Sequence, residues 1–259
     1  MSDTAKPDEF KLPDIATVSM SAPLGWLKGG WQDLQRAALP CLIYGILLAG
    51  ISAMIAWALV FSGAFAWVFV LAGGFFLLAP VLAMGFYEAG RLLENESQPN
   101  LTDMILVRGA LRLDLAYLGF ALLMIYLFWT RMAQIVYALS TNQLHKTPQD
   151  FLAFMLTTSD GQIMALTGTI IGAIIALLAY ALVVVSAPML LDRKTDVFIA
   201  TITSFRAVTK NPGPMLLWAI IIAVLTAIGI ATAFFGLILI FPLIGLASWR
   251  AYRELVPEV

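Results

Sequence analysis

Phe75–Glu94 reads FFLLAPVLAMGFYEAGRLLE, and Leu237–Leu255 reads LILIFPLIGLASWRAYREL. Each is an apolar run with a proline (Pro80, Pro242), an aromatic residue seven positions later (Tyr87, Trp249) and an arginine four beyond that (Arg91, Arg253). A helix leaving a bilayer shows this gradient: the proline loosens the last turns, the aromatic sits at headgroup level and the arginine reaches water or phosphate. SAPMLLDRK, from Ser186 to Lys194, repeats the pattern with Pro188, Asp192 and Arg193.

Working outward, the chain of 259 residues is 61% hydrophobic and 12% charged, about half the charged share of an average soluble domain. No Asp, Glu, Lys or Arg lies between Ala37 and Tyr87, between Gly161 and Leu191, or between Asn211 and Trp249. Each run exceeds the roughly 20 residues that one spanning helix needs. Six spans are expected, near 38–61, 65–87, 113–130, 163–189, 214–232 and 234–250. With six, the N-terminal segment, the even-to-odd connections and the C-terminus together carry thirteen Lys and Arg, and the other side carries only Arg131 and Lys146. The positive-inside bias therefore puts both termini in the cytoplasm.

Each odd span follows an amphipathic segment that ends in a basic residue. In the first, Leu24, Leu27, Trp31, Leu34 and Ala38 recur at spacings of three and four, one face of a helix. LTDMILVRGALR and FIATITSFRAVTK precede the third and fifth. Aligning Arg36, Arg112 and Lys210 brings Trp31, Val107 and Phe205 into register. The expected architecture is thus all-α integral membrane: six transmembrane helices as three hairpins, each preceded by a cytoplasmic interfacial helix. Residues 1–23, with mixed charges and no apolar core of signal-peptide type, read as a flexible cytoplasmic tail. Residues 24–259 read as one membrane domain whose candidate repeats are 24–98, 99–196 and 197–259.

Small residues four apart let spanning helices approach closely where lipid removes the hydrophobic drive to associate. Gly168, Gly172 and Ala176 form one such face, and Ala219, Ala223, Ala227 and Ala231 another. Both are expected to be buried, against this chain or a partner. Arg36, Arg91, Arg112, Arg206 and Lys210 form a basic ring at headgroup level and are candidate contacts for anionic lipid.

The chemistry of sites is sparse. A lone cysteine, Cys41, forms no internal disulfide, and a lone histidine, His145, falls far short of the ligand set of a haem-copper centre. Eleven methionines are scattered without a paired cluster. Glu88, Arg91, Glu94, Asp114 and Arg206 are the groups from which a hydrolase or transferase site would have to be built. Ser52, Thr167, Thr169 and Thr226 are the polar groups at mid-span, and Arg131 with Gln134 is the polar pair near a span end.

GWLKGGWQDL, PVLAMGFYEAGRLLE, the long run from Thr157 to Arg193, TSFRAVTKNPGPMLLWAIIIAVLTAIG and FPLIGLASWRAYREL resemble DUF2189, a family of bacterial integral membrane proteins of unknown function. The resemblance covers Pro23 to Val256 and implies a bacterial inner-membrane protein. Some relatives are labelled cytochrome c oxidase subunits and carry histidines in the segment matching Gly245 to Tyr252, where this chain has none. The expected function is non-enzymatic: an accessory, assembly or structural subunit packing against a larger membrane complex, a respiratory one as the specific expectation. The alternative is a passive transporter or channel for a neutral or lipid-like substrate. No cofactor, metal or nucleic acid is expected; the partners are the bilayer, its anionic lipids and other membrane subunits.

Overall fold

A computed structural model describes residues 12–62, 81–107, 113–143, 145 and 147–258. Among them every regular element is a helix. In chain order these are α1 Ala22–Arg36, α2 Ala38–Phe61, α3 Met84–Glu94, α4 Leu101–Ile105, α5 Leu113–Ser140, α6 Pro148–Thr157, α7 Ser159–Val183, α8 Ser186–Asp192, α9 Val197–Lys210, α10 Pro212–Ala231 and α11 Leu237–Leu255. Four stretches are long and apolar enough to cross a membrane: α2, α5, α7 with α8, and α10. Of the second expected span, residues 65–80 lie outside the described residues. The sixth corresponds to α11, which carries Pro242, Arg250 and Arg253 and is the most thoroughly covered of the long helices.

α11 is the hub on which the others are seated, and glycines set the distances. On α1, a Cβ at Gly30 would lie 2.7 Å from the Ala247 backbone nitrogen. One at Gly90 of α3 would lie 2.7 Å from the Trp249 ring, and one at Gly245 of α11 would lie 2.5 Å from the Phe86 Cβ. The two exit motifs of the opening quotation therefore pack on each other, the glycine of each receiving an aromatic of the other. On α2, Gly45 sits against the Ile238 carbonyl, 2.6 Å from where its Cβ would be. That carbonyl has no donor four residues on, because Pro242 lacks an N–H.

Pro188 likewise offers no N–H to the Val184 carbonyl. At the break between α7 and α8 the Val185 N–H donates to the Ser204 hydroxyl of α9 at 3.1 Å, and Ser186 donates to the Leu182 carbonyl at 2.6 Å. A neighbouring helix thus supplies a backbone partner beside Pro188 and packs closely beside Pro242.

Three expectations change. The third span does not end near Thr130; α5 runs on to Ser140, so Arg131 lies within it, bonded to Gln134 at 2.9 Å. The segments expected to lie at the interface before the first and fifth spans are helical, as α1 and α9, but the residues that each seats on the bundle are not simply its large apolar ones. Trp26, Gly30, Asp33 and Leu34 of α1 are buried, while Leu24 and Trp31 are exposed. Ala200, Thr203, Ser204 and Ala207 of α9 are buried, while Phe198 and Phe205 are exposed. Glycine, alanine and short hydroxylic residues allow close seating on the bundle, and Leu24, Trp31, Phe198 and Phe205 are left on the outer faces.

The third change concerns the tail. Residues 13–18 do not behave as a free extension: they form an extended strap tied to the ends of α9 and α11. Arg206 donates to the Pro13 carbonyl at 3.2 Å and Lys210 to that of Ile15 at 2.5 Å. The buried Asn211 carboxamide donates to the Ala16 carbonyl at 3.0 Å and accepts from the Val18 N–H at 2.9 Å, and Ala16 N–H donates to Leu255. Asn211→Ala leaves those strap groups without their partner, and a loss of about 2 kcal/mol is expected. Limited proteolysis checks it: cleavage within residues 12–20 accelerates in the variant while the helices stay intact.

Candidate functional site

The three exit motifs end in one polar cluster. Arg250 grips the buried Asp33 of α1 with two hydrogen bonds of 2.5 and 2.8 Å. One residue back, Trp249 donates its indole N–H to Glu94 at 3.0 Å. Arg253 joins Glu94 at 2.9 Å and Asp192 at 3.2 Å, linking the ends of α3, α8 and α11. Tyr252 donates to Asp192 at 2.6 Å and accepts from Arg193 at 2.9 Å. Burial first, then the bond to Asp192, pushes the Tyr252 hydroxyl well above its ordinary pKa, so it stays a donor at any working pH. Trp26 closes the far side through its indole N–H to Glu254 at 2.6 Å. A polar recess of about 550 Å³ opens beside these groups, walled by Trp26, Trp249, Asp33, Arg36, Glu94 and Arg250.

The groups offered as reactive candidates are engaged separately. Glu88, 9% exposed, holds Arg91 through bonds of 2.9 and 2.6 Å, and the hydrogen bond raises the Arg91 pKa. Glu94, three residues beyond Arg91 on the same helix, turns instead to Trp249 and Arg253. Asp114 accepts from the Val197 N–H at 3.2 Å, and Arg206 holds the strap. His145 stacks on Phe154 with ring centroids 4.5 Å apart and lies 3.0 Å from the Tyr137 hydroxyl. No group of three or more His, Cys, Asp or Glu side chains suited to a metal occurs among the described residues.

Of the basic ring, Arg91, Arg206 and Lys210 are thus bonded within the chain and Arg36 is exposed; Arg112 lies outside the described residues.

The small-residue faces are split between surroundings. A line of residues four apart drifts about 40° around a helix at each step, because four residues exceed one turn of 3.6. On α7, Gly168 and Gly172 accordingly face α5, with the Trp129 ring pressed onto Gly172, whereas Ala176 is exposed. On α10, Ala219 is half-buried and Ala223, Ala227 and Ala231 are exposed. Ala176, Ala219 and Ala223, with Ala173, line an apolar groove of about 370 Å³ between α7 and α10, floored by Phe241 and Gly245 of α11. Tyr180, which also lines it, ties the two helices by donating to the Met215 carbonyl at 2.8 Å.

Sequence reasoning passed over Trp26, Asp33, Asn211 and Glu254. For the first two a signal exists, a second helical periodicity through Trp26, Gly30, Asp33 and Ala37; Asn211 and Glu254 belong to no pattern. No curated protein and no solved structure matches the chain. Residues 67–192 match the family model DUF2189, described as a predicted integral membrane protein, and together with the four apolar helices this identifies a multi-pass integral membrane protein that carries the DUF2189 region.

Proposed function

We propose that this protein is a non-enzymatic accessory, assembly or structural subunit of a larger complex in the bacterial inner membrane, with six spans and both termini cytoplasmic. One observation carries the reading. The charged side chains that a catalytic or coupling site would use are spent as fasteners between α1, α3, α8 and α11, while the Ala223, Ala227 and Ala231 side of α10 faces outward. A rigid block with an unoccupied small-residue stripe suits docking of another spanning helix. Headgroup contact with anionic lipid falls chiefly to Arg36 in this reading. A photo-crosslinking residue at position 227 or 231, in native membranes, is expected to capture one discrete membrane protein. Ala227→Leu with Ala231→Leu should abolish that capture. Labelling of lipid alone at both positions would sink the reading.

A further inference from the structure

The groove between α7 and α10 is not wholly apolar, and its polar groups are odd. Buried Asp, Glu, Asn, Ser and Thr side chains elsewhere among the described residues all have partners: Asp33 in Arg250, Glu88 in Arg91, Asn211 in the strap, Ser186 and Thr203 in carbonyls four residues back, Ser204 in Val185. The two for which no hydrogen bond is seen among the described residues are Thr226 and Ser248, and both line the groove. Tyr87, 4% exposed, lines it too and likewise shows no partner for its hydroxyl. These hydroxyls are not sealed off, since the one enclosed side-chain donor without a partner among the described residues is the Trp218 indole N–H; an acceptor that enters the mouth of the groove therefore reaches Tyr87 and Ser248.

Depth says which acceptor. Tyr87 stands one turn before Arg91, and Ser248 stands directly before Trp249 and Arg250, so both lie just inside the charged layer. Beyond them the walls are Ala176, Leu177, Ala219, Ile220 and Ala223, reaching Thr226 at the deep end. From Leu216 to Thr226 the groove follows ten residue steps of α10, about 15 Å at 1.5 Å per step. A molecule with carbonyl oxygens at the edge of the hydrocarbon and a chain running inward would meet the hydroxyls and cover the apolar walls at once.

We infer that the groove binds a diacyl phospholipid, Tyr87 and Ser248 donating to its ester carbonyls and one acyl chain lying along the alanines of α7 and α10. The test uses the full-length protein in nanodiscs of phosphatidylethanolamine, ester-linked or ether-linked with the same chains. Lipid that stays with the protein on release is read by native mass spectrometry. The ester lipid is expected to be retained about tenfold better than the ether analogue, the worth of one to two hydrogen bonds. Tyr87→Phe with Ser248→Ala should erase that preference without lowering the melting temperature. Thr226→Val, which touches only the chain, should keep it, and Ala223→Trp should empty the groove. Equal retention of the two lipids by the wild-type protein overturns the proposal, as does a preference that survives Tyr87→Phe with Ser248→Ala. Since neither outcome involves a protein partner, the subunit reading stands or falls separately.

Discussion

Gly30→Ala is expected to destabilise the protein by about 2 kcal/mol, although alanine is the better helix former. In an exposed helix the exchange gains roughly 1 kcal/mol. Here the new methyl would lie 2.7 Å from the Ala247 nitrogen, 2.8 Å from its Cβ and 2.9 Å from its Cα. Two of those atoms are backbone of the hub helix, which cannot turn aside as a side-chain tip can. Overpacking of that kind costs about 1–3 kcal/mol and displaces α1 bodily, so the Asp33–Arg250 and Trp26–Glu254 bonds lengthen as well. Gly25→Ala is the control on the same helix. Nothing lies within 4 Å of its Cβ position, so the propensity gain of up to about 1 kcal/mol is kept. Thermal unfolding of the two variants in one detergent should move them in opposite directions.

Arg250→Leu should cost about 3 kcal/mol, and most of that cost belongs to Asp33. The Asp33 side chain is 6% exposed and loses both of its hydrogen bonds, leaving a carboxylate inside the α1–α11 interface. Breaking a buried pair from one side typically costs 3–5 kcal/mol, and the low end applies because the Arg250 side chain is 42% exposed and screened. Replacing both, Asp33→Leu with Arg250→Leu, should recover most of the loss, since no buried charge is then stranded. A double-mutant cycle on the melting midpoints measures the coupling directly. A double variant no better than Arg250→Leu alone would mean that Asp33 contributes through something other than this pair.

The membrane class, the helical fold and the ends of α2 and α10 were legible because lipid demands long uncharged helices, and such runs are visible without neighbours. The seated faces were not. Leu24, Leu27 and Trp31 mark the strongest apolar periodicity in α1, yet in a membrane protein the apolar face has lipid available, and the face with Gly30 and Asp33 has to find protein. The same inversion hid the inner face of α9. The helix-exit motifs read as snorkelling ends because each was considered alone; that Arg253, Trp249 and Tyr252 reach Glu94 and Asp192 depends on which exits are neighbours, and helix order does not fix that. The alanine stripe of α10 was visible as a pattern but not as a surface, because a four-residue repeat winds around the helix from the groove at Ala219 to the exterior at Ala231. The unbonded hydroxyls of Tyr87 and Ser248 belong to no motif and become notable only from the groove that they share.

The central claim is that this chain works by holding another membrane protein. The most direct measurement is a mild-detergent affinity purification of the tagged protein from native membranes, read by mass spectrometry and by the visible spectrum of the eluate. The account predicts a second integral membrane subunit in stoichiometric amount, lost on Ala227→Leu with Ala231→Leu, with haem absorbance if that complex is respiratory. A colourless eluate containing this chain alone, from membranes where it is abundant, would contradict it and shift the weight to a passive path for lipid-like molecules.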